Sequence, residues 1–223
     1  MAEKFSDSLR HRAQKIWRAI DAHPFLRELH TGTLPMDRFI YFILQDYVYL
    51  LDFAQVLCHA GSKSPDLKTL ELFARHALGA VEVERTFHES FGESLGFSRQ
   101  QLDQVPKNPT THAYINHLQS VARSGTLGET VAAVLPCYWI YGEVGRRLYR
   151  NRPSKPKIYR QWIETYASEA FWKPVREQIQ LMDTLGATAS NSEKRLMTAH
   201  FLLSSRYEFM FWEQAYRLEK WPV

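Results

Sequence analysis

Apolar positions along this chain recur with the three-to-four-residue period of a helix, and no stretch alternates apolar and polar side chains as a half-buried strand would. Ser6 is placed to cap a first helix carrying Leu9, Ala13, Ile16, Trp17 and Ile20 on one face. A short helix from Pro24 to His30 ends at Gly32. Pro35 suits the first turn of a long helix from about Pro35 to Ala60, stopping at Gly61. A third long helix reads from Asp66 to about Phe91, and Gly92, Gly96 and the cluster from Pro106 to Pro109 mark a loop. Thr110 is the expected cap of a helix carrying Tyr114, Leu118 and Val121 and ending at Gly125. The most apolar helix follows, from about Leu127 to Tyr149. Another runs from about Pro156 to Leu185 with a break expected near Ser168 to Pro174, where proline removes a backbone donor. Ser190 or Asn191 begins the last helix. The pattern predicts one all-α domain over residues 1–223, a bundle of seven or so helices with short connections.

Inside the most apolar helix lies Leu135-Pro136-Cys137-Tyr138-Trp139-Ile140-Tyr141-Gly142-Glu143-Val144-Gly145. Helical geometry puts Cys137 and Tyr141 on one face, a turn apart. Pro136 crowds the Ala132 carbonyl and predicts a kink just before the cysteine. A lone cysteine in such a run is a small buried hydrophobe or a reactive thiol, and this stretch alone favours the first.

Two acids interrupt apolar helices elsewhere. Asp46 follows Ile43-Leu44-Gln45 and shares its face with Tyr49, Leu50 and, a turn on, Phe53. Glu208 lies within Arg206-Tyr207-Glu208-Phe209-Met210-Phe211-Trp212, with Phe211 and Trp212 on its own side. A desolvated carboxyl needs a partner or must hold a proton, so each is either a structural ion pair to another helix or a functional acid. Tyr114 and Tyr166 are placed to aim hydroxyls inward, or to pack as core rings.

Composition narrows the partners. The chain has 223 residues, 45% hydrophobic and 13% aromatic, with a formal net charge of +4. Its basic residues interleave with acids, so no nucleic-acid surface is expected. Its N-terminal residues are charged where a signal peptide would be apolar, and no uninterrupted apolar run is long enough to span a bilayer. With only Cys58 and Cys137, no disulfide framework is expected, which points to a cytoplasmic protein with reduced thiols. The histidines are scattered, and the Glu-x-x-His repeat of a carboxylate-bridged di-metal site is absent. A single axial histidine, His23 or His30, would suffice for haem, which leaves a ligand-binding bundle without turnover as an alternative.

The stretches Tyr41 to Leu50, Leu135 to Gly145, Trp162 to Tyr166 and Arg206 to Glu213 together resemble the TenA/THI-4 family of thiaminase II enzymes, the aminopyrimidine aminohydrolases, in the family's order. The resemblance implies a haem-oxygenase-like helical bundle, a homotetramer, with no metal or cofactor. It implies hydrolysis of 4-amino-5-aminomethyl-2-methylpyrimidine to the 5-hydroxymethyl pyrimidine and ammonia, and of thiamine to the same pyrimidine and thiazole. Having the central cysteine, the chain resembles the cysteine-containing branch. The match places the nucleophile at Cys137 and the acid/base at Glu208, with Asp46 holding the pyrimidine. It places Tyr49, Tyr114, Tyr141, Tyr166 and Phe211 around the substrate. Phe53 joins them as a wall by helical spacing alone. A related hydrolase acting on a different aminopyrimidine or an amide remains open.

Overall fold

The computed structural model describes residues 3–87, 97–150 and 156–223, and every regular element among them is a helix. In chain order these are α1 (Phe5–Arg12), α2 (Gln14–Asp21), α3 (Pro24–Thr31), α4 (Met36–Ser62), α5 (Leu67–Phe87), α6 (Arg99–Asp103), α7 (Pro109–Ser124), α8 (Leu127–Arg150), α9 (Lys157–Ala167), α10 (Glu169–Thr188) and α11 (Asn191–Arg217). The predicted all-α bundle is observed.

α8 is the central rod. It is buried almost all round from Leu127 to Leu148 and packs against α7, α9, α10 and α11. α4 lies on the other side of the site, against α5, α7 and α11. The rings of Phe42 on α4 and Trp212 on α11 stack with centroids 4.8 Å apart and planes 5° apart. Both are fully buried. Removing such a side chain from water stabilises the fold by about 1.5–3 kcal/mol, and the ring pair adds about 0.5–1.5 kcal/mol. α4 is long and apolar enough to cross a membrane, but most of its apolar window is buried within this fold.

Some helix boundaries differ from the sequence reading and others match it. The first helix divides at Ala13 into α1 and α2. Ser6 lies inside α1 rather than capping it, and its N–H donates to Asp183 Oδ1 of α10 at 2.9 Å. α4 passes through Gly61, where a Cβ would make only ordinary contact with Phe73 of α5. Asp66 accepts from the Thr69 N–H at 2.7 Å and so starts α5; the expected end of that helix near Phe91, with Gly92 and Gly96, lies outside the described residues. α6 was not foreseen; Ser98 and Gln101 close a reciprocal capping box at its start. Thr110 does not cap α7. Its own N–H is satisfied by Glu219 from the C-terminal tail at 3.0 Å, and Asn108 holds the cap position. α8 runs through Pro136 without interruption. The break after α9 falls at Ser168, whose hydroxyl accepts from the Phe171 N–H, while Pro174 is carried inside α10. Gly32 ends α3 at φ 78°, and Ser190 caps α11 through the Glu193 N–H.

Candidate active site

Five helices bring the foreseen residues to one place. α4 supplies Asp46, Tyr49 and Phe53, α7 Tyr114, α8 Cys137 and Tyr141, α9 Tyr166, and α11 Glu208 and Phe211. Heptad-like recurrence explains α4 and α11: Asp46, Tyr49 and Phe53 follow one face, as do Glu208 and Phe211.

Glu208 is 1% exposed and Asp46 6%. The Tyr114 hydroxyl donates to Glu208 Oε1 at 2.7 Å. Burial pushes the Glu208 carboxyl up to about 8; the Tyr114 hydrogen bond opposes that shift and the nearby charge of Asp46 adds to it. Burial likewise pushes Asp46 up to about 7, against a lowering contribution from the Tyr166 hydroxyl. The Cys137 thiol is partly exposed yet pushed well up, by burial first, then by the charge of Glu208; Tyr49 favours its thiolate and Asp46 disfavours it. The thiol therefore rests protonated, and no helix N-terminus is available mid-helix to ionise it.

The hydroxyl of Tyr49 is buried next to the Cys137 thiol and the Tyr114 hydroxyl and interacts with both, yet it closes no hydrogen bond of ordinary length. It joins the sulfur on one side to the Tyr114–Glu208 pair on the other. Among the neighbouring charges Tyr141 feels Glu208 first, then Asp46, Tyr166 and Cys137, and Tyr166 feels Asp46, Cys137 and Glu208.

Rings close the remaining sides. Phe53 stacks on Tyr49 at 5.5 Å, and Phe211 meets the Tyr49 ring edge-on at 5.7 Å. Tyr141 and Tyr166 are 5.0 Å apart. All nine foreseen residues thus share one neighbourhood. The closeness of α8 and α9 depends on Gly145: a Cβ there would lie 2.5 Å from the carbonyl carbon of Tyr166.

Three residues of this region were not foreseen. Tyr138, beside Cys137 in sequence, packs on Phe53 at 5.6 Å and on His76 at 5.6 Å, and its hydroxyl feels the Cys137 charge. His76 is buried, accepts from Gln178 at Nδ1 and meets Glu177 through Nε2 at 2.9 Å. Tyr207 stacks flat on Tyr114 at 5.1 Å. The signals were a polar ring inside an apolar face of α5 and a tyrosine adjacent to each catalytic candidate.

Among the described residues no group of three or more His, Cys, Asp or Glu side chains is arranged to hold a metal. His23, one of two histidines considered for haem, has both nitrogens engaged: Nδ1 accepts from the Phe25 N–H at 3.1 Å and Nε2 meets Glu213 at 3.0 Å. It caps α3 and is not free to ligate iron.

Comparison with known proteins agrees with this arrangement. A Bacillus subtilis (strain 168) protein named aminopyrimidine aminohydrolase is 39% identical over 218 residues, covering 98% of this chain and 92% of that protein. The solved TenA homologue from P. horikoshii OT3 superposes with a TM-score of 0.88 at 28% identity, covering 96% of this chain and 99% of that one. A Shewanella denitrificans domain described as having a heme oxygenase-like fold superposes with a TM-score of 0.75 at 16% identity, covering 95% of this chain and 92% of that one, which speaks for the fold alone. The family model described as TENA/THI-4/PQQC matches residues 10–218, and the chain belongs to that family.

Proposed function

We propose that this protein is an aminopyrimidine aminohydrolase, with 4-amino-5-aminomethyl-2-methylpyrimidine as substrate and thiamine as a slower one. The observation that carries the reading is the convergence of a thiol and two raised carboxyls from three helices on one aromatic-walled site. The relatives' name supports the same chemistry.

An aromatic pyrimidine does not readily release an amine from its 5-methylene. Addition of the Cys137 sulfur to the ring carbon beside that position breaks aromaticity and makes expulsion possible. In this scheme Glu208 delivers a proton to the ring nitrogen as sulfur adds. Its carboxylate then takes up the thiol proton by way of Tyr49 and Tyr114, so the addition places sulfur and hydrogen across the ring with no net change of charge. The 4-amino lone pair, steered by Asp46, drives the C–N bond at the methylene to break, and the amine, bound as its ammonium form, departs as neutral ammonia. Water adds to the methylene and gives its extra proton to the released ammonia; Glu208 then takes back the ring-nitrogen proton as the carbon–sulfur bond breaks, the ring regains aromaticity, and the departing thiolate recovers its proton by way of Tyr114 and Tyr49. The sum is amine plus water giving alcohol plus ammonia.

The surrounding rings exclude water and offer π-faces to the heterocycle. We place the protein in the cytoplasm, where its two free thiols would stay reduced. A homotetramer is supported by the exposed apolar positions Leu196, Leu203 and Met210, seven residues apart along α11, which a second copy would cover.

Ammonia release from the aminomethyl pyrimidine is the direct test. Wild type should turn over, and Cys137→Ser should keep its fold by circular dichroism and lose turnover by at least about 10³-fold, as for removal of a nucleophile. Near-normal hydrolysis by the serine variant would remove the covalent step, and no ammonia from wild type would remove the substrate.

A further inference from the structure

Tyr114 reaches Glu208 from another helix, and α11 grips it at two points. The Glu208 carboxyl takes its hydroxyl at 2.7 Å. The ring of the preceding residue, Tyr207, lies flat on the Tyr114 ring, with centroids 5.1 Å apart and planes 13° apart. A tyrosine hydroxyl sits at the far end of its ring, so a small rotation about χ1 carries it out of hydrogen-bonding reach. The flat contact opposes that rotation.

Tyr207 is itself held. His117 lies three residues after Tyr114 on the same face of α7; its ring is 5.7 Å from Tyr207, and its Nε2 is 3.2 Å from the Ser204 hydroxyl of α11. Ser204, Tyr207 and Glu208 recur at helical spacing, so three α11 side chains interlock with two from α7. The next ring is His200, 5.6 Å from His117, and it meets Glu129 of α8 at 3.2 Å. The row is thus tied to the helix that carries Cys137.

We propose that Tyr207 is a positioning residue for the acid: its ring fixes the angle at which the Tyr114 hydroxyl meets Glu208. It acts through Tyr114. The assignment rests on the pyrimidine reading above and extends it to a residue that the chemistry itself does not call for.

The test compares ammonia release from the aminomethyl pyrimidine across pH in wild type, Tyr207→Leu and Tyr207→Phe, each first checked by thermal melting. Tyr207→Phe keeps the ring and should match wild type within about twofold. Tyr207→Leu should lower kcat/KM about 3- to 10-fold, the worth of one ring pair. It should also move the alkaline limb upward, because Glu208 loses a hydrogen bond that lowers its pKa. Among the described residues, the titratable groups acting on the Tyr114 hydroxyl are Glu208 on α11, Cys137 on α8 and Tyr49 on α4. Burial, then the charge of His200, holds the His117 imidazolium down to about 4, so His117 is neutral over this range and does not produce the limb. Added to Tyr114→Phe, Tyr207→Leu should cost no more than about a further twofold, since the hydroxyl it positions is already gone. If the leucine variant melts far below wild type, Tyr207→Met takes its place, filling the space without a flat face. Wild-type rates in the leucine or methionine variant would overturn the assignment. So would an equal loss in Tyr207→Phe, or a loss with an unmoved limb, which means general loosening of the bundle. No ammonia from wild type would instead sink the pyrimidine reading and the assignment with it, a result distinct from the other three.

Discussion

The Tyr114 hydroxyl donates to Glu208 Oε1 at 2.7 Å, and its ring lies 5.2 Å from that of Tyr49. Tyr49 in turn neighbours the Cys137 thiol. The thiol and the carboxyl sit on different helices, and two tyrosines connect them. Because Cys137 rests protonated, its proton must leave as sulfur attacks. The tyrosine pair offers that proton a path to the acid that has just protonated the ring. The unclosed hydrogen bonds of Tyr49 suit such a role, since a hydroxyl locked to one partner cannot pass a proton between two.

Tyr114→Phe tests this path. The change removes a hydrogen bond that lowers the Glu208 pKa, so the acid becomes weaker and the path loses a hydroxyl. Turnover should fall about 10- to 100-fold, the worth of one hydrogen bond to a charged group. The alkaline limb of the rate profile should move upward, which a purely structural loss would not produce. A fall in rate with an unmoved limb would remove Tyr114 from proton transfer.

The two acids also set the pH range of activity. Glu208 must carry a proton to act as an acid, so activity should fall as pH rises past about 8. Asp46 must be ionised to draw on the 4-amino group, so activity should fall as pH drops below about 7. The profile of kcat/KM should be bell-shaped with its maximum between those limbs, the apparent values belonging to the pair rather than to either residue. Glu208→Gln should abolish the alkaline limb in whatever activity remains.

Stability should fall together with activity at high pH. Both folded pKa values stand above those of the unfolded chain, about 4 for a carboxyl. Stability from the protonated forms is therefore fully present below about pH 4 and is lost as pH rises through about 7 for Asp46 and about 8 for Glu208. Glu208→Gln should melt higher than wild type at pH 9, by about 2–4 °C for each kcal/mol relieved, and close to wild type at pH 5. Melting curves at the two pH values check the sign.

Much of this site was legible because burying a carboxyl among rings is costly enough to need a reason. Asp46 and Glu208 stand out in apolar helices, and three-to-four spacing puts Tyr49, Phe53 and Phe211 on their faces, while the family resemblance is what assigns Tyr49 and Phe211 to the substrate. Helix ends governed by local backbone chemistry, such as Gly32 and Ser190, were legible for the same reason. Ends governed by distant partners were not. Ser6 and Thr110 resemble caps in sequence, but their N–H groups find Asp183 and Glu219, which are 177 and 109 positions away. Tyr138, His76 and Tyr207 were missed likewise, because their place beside the site depends on which helices meet.

Gly145 holds the least obvious requirement of the site. A Cβ at this position would lie 2.5 Å from the Tyr166 carbonyl carbon, 2.6 Å from its Cβ and 2.8 Å from the Ala167 nitrogen. Two of these three atoms are backbone, so a rotamer change cannot relieve the clash; α9 must move outward. Gly145→Ala should then cost about 1–3 kcal/mol of stability, typical of an overpacked contact. It should also withdraw the Tyr166 hydroxyl from Asp46, whose pKa would rise as that lowering contribution is lost. The acidic limb should accordingly shift upward in Gly145→Ala, as it should in Tyr166→Phe. Since both changes remove one interaction, their effects on kcat/KM should overlap in the double variant rather than add. Additive losses would show that Gly145 shapes the bundle without setting the position of Tyr166.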